Sequence, residues 1–410
     1  MGEIEEAGLS AQRLARLETF LRDRYVATGV IPGGHVEVWR RGVRAYSTVI
    51  GRMDIERNKP LREDAIHRIY SMSKPITGVA LLMLAEQGRV DLNDEVATYI
   101  PQWKNLAVYG GGTIGAFVTR PAAQPMKIVD LATHTAGLTY SWQNRSNVDA
   151  AYRALELESR TTEGGLEAFV SRLAEVPLEF TPGTAYHYSV ATDVIGYLVQ
   201  KISGVPFGEF LRSRIFEPLG MVDTGFNCPP EKLDRFTSCY VAQPGGPLAL
   251  DDDALASSFA SPPNMESGGG GLVSTMHDYV RFCRMLLNGG ELDGVRLLSP
   301  KTVKLFSTNL LPRGSNVEDM AFYPTAGQDS LRGCGYSVCC ATTIDLGGRR
   351  MAASLGEFFW SGAAATCFWV DPKEELTVVF MTQVRQSPNH NKIQRDLRQI
   401  VYGAFTEANG

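Results

Sequence analysis

The sequence predicts an α+β fold, an α/β sandwich in which one antiparallel sheet is built from both ends of the chain and flanked by helices. Two runs of alternating, β-branched residues lie near the start, at 35–42 and 43–51, and strand-like runs return from residue 333 onward. From about 90 to 275 the sequence is rich in helical patterns, Gly and Pro. We therefore expect an α/β domain of residues 1–90 and 275–410 and a mainly helical inserted domain of residues 91–274.

The composition indicates a soluble globular protein. The 410 residues are 44% hydrophobic and 21% charged with a net charge of −5, so no nucleic-acid or membrane partner is expected. The acidic N-terminus has no apolar signal segment and no apolar run of about 18 residues follows, which predicts a cytoplasmic location. The seven cysteines match no metal-ligand spacing and the six histidines are scattered. We expect reduced thiols, no metal and no cofactor.

The individual elements follow in chain order. Ser10 can cap a first amphipathic helix that ends before Gly29, and the runs 35–42 and 43–51 form a hairpin at Gly42. The later strand-like runs are "GYSVCCATTI", "RRMAASLGEFFW", "AATCFWVD" and "LTVVFMTQ", with turns at Gly347-Gly348 and Asp371-Pro372-Lys373. A last helix is expected at about 392–405. The acidic, Pro-rich stretch 243–264 predicts a long loop, which we interpret as part of a lid.

The segment "IYSMSKPITGVALLMLAEQG" (69–88) has the composition of a buried helix. Pro75 is tolerated only in a first turn, so the helix begins near 71–73. Ser71 and Lys74 then share one face. A serine at the positive end of a helix lies where an oxyanion is stabilised, and a desolvated lysine can act as a neutral base. The alternative, a helix cap and a solvated lysine, stays open on this segment alone.

Two later segments carry further candidates. Tyr188 precedes an apolar helical stripe that ends at Gly204, and its phenol could relay a proton between Lys74, Ser71 and a leaving group. Tyr186 is a rival for this role, and a core tyrosine is the plainer interpretation. In "GEFFWSGAAATCFWVD" (356–371), Trp360, Ser361, Gly362 and Ala363 are predicted on a strand. Gly362 would allow close backbone approach, and a backbone amide there could be an oxyanion donor. The alternative is an aromatic strand with a bulge.

Three further sequence features argue against a dinucleotide site, a phosphate-binding loop and an α/β-hydrolase nucleophile. Gly110-x-Gly112-x-x-Gly115 matches a dinucleotide fingerprint, but the prolines that follow it cannot open a helix. The glycines at 268–271 lack the G-K-[ST] ending of a phosphate loop. No G-x-S-x-G is present, which excludes the nucleophile elbow of an α/β-hydrolase.

Taken together, the three candidate segments resemble the serine β-lactamase-like hydrolases, which include class C β-lactamases, D-alanyl peptidases and family VIII carboxylesterases. The resemblance runs from about residue 31 to 383. "RIYSMSKPITGVALLMLAEQGRVDLNDEVATYIP" is similar to the nucleophile helix and the segment after it. "LATHTAGL" (131–138) resembles the family's L-T-H-T-S-G-L stretch, and "GGGGLVSTMHDYVRFCRMLLNGG" its later glycine-led helix. The resemblance implies a β-lactamase/transpeptidase-like fold.

The resemblance also implies roles for the site residues. Ser71 resembles the acylated nucleophile, Lys74 the general base or proton shuttle, and Tyr188 the first residue of the Y-x-N element. Trp360-Ser361-Gly362 falls where β-lactamases carry K-T-G, so the amides of Ala363 and Ser71 would form the oxyanion hole. How the base role is divided between Lys74 and Tyr188 stays open.

Two departures from the family pattern point to the substrate. Val190 stands in place of the asparagine of Y-x-N, and Trp360 in place of the lysine of K-T-G. Without that ammonium the site lacks a partner for the carboxylate of a β-lactam. Such a site suits short neutral esters. We therefore expect a carboxylesterase that acts on a small-molecule ester through a Ser-Lys-Tyr acyl-enzyme mechanism, with weak β-lactam hydrolysis. The alternatives are a β-lactamase or D-alanyl peptidase, an acyltransferase, and an inactive binding scaffold.

Overall fold

The computed structural model describes residues 3–158, 160–323 and 331–409. The strands in these ranges are β1 (Gly33–Arg40), β2 (Val43–Asp54), β3 (Lys59–Pro60), β4 (His67–Arg68), β5 (Ala107–Gly111), β6 (Val118–Pro121), β7 (Cys239–Val241), β8 (Ala249–Asp252), β9 (Val273–Ser274), β10 (Glu291–Leu292), β11 (Val295–Arg296), β12 (Cys334–Tyr336), β13 (Ala341–Thr343), β14 (Phe358–Ser361), β15 (Cys367–Asp371), β16 (Leu376–Met381) and β17 (Val384–Arg385).

The α-helices in the same ranges are α1 (Glu3–Glu6), α2 (Ala11–Leu14), α3 (Arg16–Leu21), α4 (Ser73–Glu86), α5 (Ile128–Ala132), α6 (Asn147–Ala154), α7 (Gly165–Leu173), α8 (Ala191–Ser203), α9 (Phe207–Leu211), α10 (Glu217–Leu219), α11 (Met276–Leu287), α12 (Pro300–Phe306), α13 (Val317–Met320), α14 (Leu346–Arg349) and α15 (His390–Tyr402). Ser10 caps α2 by accepting the Arg13 N–H, as predicted. The first helix is not continuous, because α2 and α3 meet at Ala15 and a π-helical turn, Arg22–Val26, follows α3.

The main sheet has eight strands in the order β12-β13-β14-β15-β16-β1-β2-β3, and each neighbouring pair is antiparallel. Its strands come from residues 33–60 and 334–381, so both ends of the chain build it. The predicted fold class is confirmed. The division into domains at residues 91 and 274 stays a prediction.

The hairpin between β1 and β2 forms where the sequence predicts it. Arg41 and Gly42 connect the strands with φ values of 51° and 78°. Two consecutive positive φ angles are typical of the tight turns whose twist matches that of paired strands. The glycine makes the second angle accessible at little steric cost.

Helices cover both faces of the central strands. Phe368 and Trp369 are neighbours on β15, so their side chains point to opposite faces of the sheet. The ring of Phe368 contacts Tyr279 of α11, with 5.3 Å between centroids. On the other face, the guanidinium of Arg398 from α15 lies 4.6 Å from the centroid of Trp369. Burial from both sides explains why β15 and β16 are continuous apolar runs.

Some predicted elements near the C-terminus are wrong. "GYSVCCATTI" is not one strand but the hairpin of β12 and β13, because the Ser337 N–H donates to the Cys340 carbonyl and Cys339 adopts a φ of 63°. The predicted turn at 347–348 lies within α14, and of the strand predicted at 349–360 only the part from Phe358 onward forms, as β14. The last helix begins and ends two to three residues earlier than predicted.

The apolar helix after Ser71 is α4, and a 3₁₀ turn, Tyr70–Met72, leads into it. This agrees with the predicted start near 71–73. Residues 73–84 are all buried, since α4 packs against α8 and α12. No helix in the described ranges, α4 included, is long and apolar enough to cross a membrane.

The segment 243–264 contains β8, which pairs with β7, and a 3₁₀ turn, Ser258–Ala260, so it is not a plain loop. Three consecutive aspartates fasten it to the rest of the protein. Their ion pairs, each 2.7 Å long, are Asp251 with Arg385, Asp252 with Arg68 and Asp253 with Arg57. The role of this segment as a lid stays a prediction.

Of these ion pairs, the one between Asp252 and Arg68 stabilises the fold most. The Arg68 side chain is fully buried, so Asp252→Asn leaves a buried guanidinium without its counter-charge. We expect the free energy of unfolding to fall by about 3 kcal/mol. The control is Asp251→Asn, because Arg385 is 40% exposed and water can replace its partner, so this pair should contribute less than about 1 kcal/mol. Urea denaturation measures both, and equal losses would contradict the prediction.

Candidate functional site

Ser71 lies in the 3₁₀ turn that precedes α4, and neighbouring segments hold this turn in place. The Tyr279 hydroxyl donates to the Met72 carbonyl at 2.8 Å, and the Leu272 N–H donates to the Ser73 hydroxyl at 3.2 Å. Tyr70 adopts a φ of 42°, which is unfavourable for a bulky residue. Such strain is maintained only where the surroundings enforce it, and it is common at functional sites.

Lys74 is fully buried, and its Nζ has three oxygen partners. They are the Ser71 hydroxyl at 3.2 Å, the Tyr140 hydroxyl at 3.0 Å and the Gly269 carbonyl at 2.6 Å. The carbonyl can only accept, so one N–H of Lys74 always points at Gly269. The three partners match the three N–H groups of an ammonium. The alternative of a solvated first-turn lysine is therefore wrong.

Tyr188 also bonds to Ser71. Its hydroxyl donates to the Ser71 Oγ at 2.7 Å, and the Lys74 Nζ lies 4.6 Å from the centroid of its ring. The three side chains singled out in the sequence are thus in contact. Tyr186, the rival candidate, packs its ring against that of Tyr336, with 5.4 Å between centroids. Its hydroxyl bonds to none of these three side chains.

His134, from the "LATHTAGL" stretch, places Tyr188. The His187 N–H donates to the His134 carbonyl at 2.8 Å, and the Ser189 N–H donates to the His134 Nδ1 at 3.2 Å, so both neighbours of Tyr188 are bound to one residue. The two rings also pack, with 4.7 Å between centroids. Burial holds the pKa of His134 well below its usual value. The neutral ring accepts at Nδ1 and carries its proton on Nε2.

Tyr140 belongs to the site but was not found from the sequence. Its buried hydroxyl accepts from Lys74, and its ring lies 5.3 Å from that of Tyr188. Burial and the neighbouring Tyr188 raise its pKa well above the usual value. It follows the "LATHTAGL" stretch directly, yet nothing in the local pattern distinguishes it from a core tyrosine.

Within the glycine run 268–271, Gly268 and Gly269 approach the neighbouring helices too closely for a side chain. A Cβ on Gly269 would lie 2.5 Å from the Asp193 Oδ2, and one on Gly268 would lie 2.8 Å from the Thr192 carbonyl. The Asp193 carboxylate accepts the Gly269 N–H at 3.1 Å and the Ser267 hydroxyl. These bonds orient the carbonyl that Lys74 contacts. Burial raises the pKa of Asp193, although Lys74 opposes this.

Gly362 brings a turn against the segment before Ser71. A Cβ on Gly362 would lie 2.3 Å from the Ile69 carbonyl, so the predicted close approach is observed. The prediction that residues 362 and 363 continue the strand is wrong. β14 ends at Ser361, because the chain must reverse into β15 and the Gly362 N–H bonds to the Thr366 carbonyl. Among the described residues, the amides of Ser71 and Ala363 are bonded to no protein acceptor.

Ser71 opens into a cavity of about 370 Å³. Aromatic rings form much of its wall, namely those of Tyr70, Tyr140, Trp142, Tyr188 and Phe259. Ala363 also lines it, whereas Trp360, Ser361 and Gly362 do not. The ring of Trp360 packs behind that of Tyr188, with 5.5 Å between centroids. The Ser361 hydroxyl bonds to the His390 ring at 3.2 Å. A direct contact of these three residues with substrate stays a prediction.

Charged side chains that line the cavity already form hydrogen bonds or ion pairs within the protein. Burial raises the pKa of Glu158 to about 7, and its carboxylate accepts the Ser141 N–H. Arg385 pairs with Asp251, and Arg160 donates to the Phe226 carbonyl at 2.8 Å. In the described residues, no group of three or more His, Cys, Asp or Glu side chains could hold a metal ion.

The chain is similar to known proteins both in sequence and in structure. A family model described as Beta-lactamase matches residues 21–402. Protein Rv1367c of Mycobacterium tuberculosis is 32% identical over 87% of this chain and 86% of its own. Esterase EstB of Burkholderia gladioli is 26% identical over 97% of this chain and 96% of its own. The structure of simvastatin synthase (LovD) from Aspergillus terreus superposes with a TM-score of 0.80 at 22% identity, covering 97% of this chain and 99% of LovD.

The placement of Tyr188 should depend on the acceptor at His134. His134→Ala removes this acceptor and the ring contact, so we expect a fluorophosphonate to label Ser71 about 10²-fold more slowly, since small misplacements of reacting groups have effects of that size. His134→Asn keeps an oxygen near the position of Nδ1 and should recover much of the rate. Intact mass spectrometry follows the labelling, with melting temperatures as the control. Equal losses in both variants would show that the acceptor does not position Tyr188.

Gly362 should determine the alignment of the two free amides. Gly362→Ala pushes the turn away from the Ile69 carbonyl and so displaces the Ala363 N–H relative to Ser71. We expect Ser71 labelling to slow by about 10²-fold, the usual effect of losing one oxyanion donor. Gly225→Ala is the matched control, because its Cβ would lie no closer than 3.8 Å to a neighbouring atom. Unchanged labelling in Gly362→Ala would contradict the prediction.

Proposed function

Because the chain belongs to the beta-lactamase family, we propose that it is a serine carboxylesterase of the family VIII type, which hydrolyses short-chain esters through an acyl-enzyme on Ser71. The family model and the similarity to EstB confirm the resemblance to β-lactamase-like hydrolases that the sequence predicts. One observation carries the proposal. The Ser71 Oγ lies 2.7 Å from the Tyr188 hydroxyl and 3.2 Å from the Lys74 Nζ, at the surface of an aromatic-lined cavity.

Acylation begins when the Ser71 Oγ attacks the ester carbonyl carbon. In the reactive form Tyr188 is a phenolate, having lost the proton it donates in the resting site. The phenolate takes the proton of Ser71 as the new O–C bond forms, and the carbonyl oxygen gains a negative charge. The free amides of Ser71 and Ala363 are the donors for this oxyanion, and the N-terminal end of α4 adds a favourable field. Before the transfer, Lys74 stabilises the phenolate, since its Nζ lies 4.6 Å from the ring centroid of Tyr188.

Acylation ends when the alcohol leaves, and deacylation then repeats the proton movements with water. Tyr188 gives its proton to the alkoxide oxygen as the ester C–O bond breaks, and the alcohol leaves. A water molecule then enters, loses a proton to Tyr188 and attacks the acyl carbon. The Ser71 Oγ leaves with that proton. The net reaction consumes one ester and one water and yields one acid and one alcohol.

We assign the base role to Tyr188 rather than Lys74. The Tyr188 hydroxyl is closer to the Ser71 Oγ, at 2.7 Å against 3.2 Å. Lys74 directs one N–H to the Gly269 carbonyl, and the hydroxyls of Tyr140 and Ser71 can accept two more. In the proposed mechanism Lys74 is an ammonium, which has no lone pair to receive the serine proton. Lys74 then acts by lowering the energy of the phenolate.

The surroundings favour a neutral ester over a β-lactam. Trp360 stands in place of a lysine and packs against Tyr188 and Tyr336. Of the arginines that line the cavity, Arg385 is neutralised by Asp251, and Arg160 donates to backbone carbonyls. A substrate carboxylate would have to compete with these partners. EstB, an esterase, is similar to this chain over nearly its full length.

The direct test measures hydrolysis of p-nitrophenyl butyrate beside a chromogenic cephalosporin. We expect faster turnover of the ester, and Ser71→Ala should lower kcat by about 10³-fold or more. A fluorophosphonate should add one adduct to the wild type and none to Ser71→Ala. Ser171→Ala is the control and should keep both turnover and adduct, since this exposed serine donates to the Glu167 carbonyl of its own helix and does not line the cavity.

Each alternative function has its own outcome. Faster turnover of the cephalosporin would identify a β-lactamase. A new ester formed when alcohols are added as acceptors would identify an acyltransferase. Absence of both turnover and adduct would identify an inactive scaffold. An adduct on a residue other than Ser71 would overturn the proposed mechanism.

A further inference from the structure

Trp142 is a large apolar side chain that the fold leaves in contact with solvent. Its residue is 57% exposed, yet it lines the same cavity as Ser71. Tryptophan is usually well buried, so an exposed indole beside a reactive serine suggests a surface for a ligand. The indole stacks on the ring of Tyr140, with 5.2 Å between centroids and 24° between planes.

The turn that carries Trp142 is held at several points. Lys74 donates to the Tyr140 hydroxyl at 3.0 Å, Glu158 accepts the Ser141 N–H, and the Gln143 side-chain amide donates to the Tyr188 carbonyl at 3.0 Å. The indole therefore has a fixed position relative to the reacting groups. A preorganised ring binds a ligand with little loss of conformational entropy.

The position of Trp142 also indicates which half of an ester it would contact. The leaving oxygen must lie beside the Tyr188 hydroxyl, which gives it a proton. The carbonyl oxygen points instead to the amides of Ser71 and Ala363. The ring of Tyr140 lies 5.3 Å from that of Tyr188, and Trp142 stacks on Tyr140. The indole is thus connected, through the ring of Tyr140, to the residue that protonates the leaving oxygen.

We propose that Trp142 is the stacking surface of an alcohol-side subsite, and that the preferred substrates are esters whose alcohol carries a flat aromatic ring. This inference rests on the proposed esterase function and deepens it. Ring stacking adds to the hydrophobic contact that any apolar group would make. An aromatic alcohol should thus be preferred over a saturated ring of similar size.

The test uses two matched pairs of esters. Benzyl acetate and cyclohexylmethyl acetate differ only in the alcohol ring, whereas ethyl phenylacetate and ethyl cyclohexylacetate differ only in the acyl ring. Wild-type kcat/KM should favour benzyl acetate within the first pair. Trp142→Leu keeps apolar bulk but removes the ring, and should lower that preference by about threefold to tenfold. Trp142→Phe should retain most of it.

Leu355→Ala is the control, because this leucine is 58% exposed and lies outside the cavity lining. It should change no ratio. An unchanged benzyl preference in Trp142→Leu, or a change confined to the acyl-side pair, would overturn the subsite while leaving the esterase function intact. Failure of the wild type to hydrolyse any of the four esters, together with no fluorophosphonate adduct on Ser71, would instead overturn the proposed function and the subsite with it.

Discussion

The rest of the site depends on the burial of one amine. Lys74 is fully enclosed, and a buried amine is tolerated only when it is hydrogen-bonded. Its partners are Ser71 beside it and Tyr140 and Gly269 from distant parts of the chain. These bonds bring the segments around residues 140 and 269 to the start of α4. The segments that meet there form part of the wall of the cavity into which Ser71 opens.

Close backbone contacts make this convergence possible. The glycines at 268, 269 and 362 lie where a Cβ would meet a backbone or carboxylate atom at less than 3 Å. These contacts put the Gly269 carbonyl within reach of Lys74, and a free amide at 363 near Ser71. In the proposed mechanism, side chains supply the proton chemistry, whereas backbone groups supply the donors and the acceptor that orient it.

Aromatic packing then shapes the cavity beside Ser71. Trp360 packs behind Tyr188 in place of a cation, and Tyr140 and Trp142 extend the aromatic wall towards solvent. Because Tyr188 is held by ring contacts and by the bonds to His134, its hydroxyl has one position relative to Ser71. The same aromatic residues therefore position Tyr188 and shape the cavity beside Ser71.

The sequence alone determined the fold class, the hairpin at Gly42, the start of α4 and the identity of Ser71, Lys74 and Tyr188 as candidates. These features depend on local periodicity, on proline and glycine geometry and on motif spacing. Only the tertiary structure showed that Tyr140 bonds to Lys74, that His134 holds Tyr188, and that the chain turns at Gly362. Each of these is a contact between segments distant in sequence. Local patterns carry no information on such contacts, because they arise from how the whole chain packs.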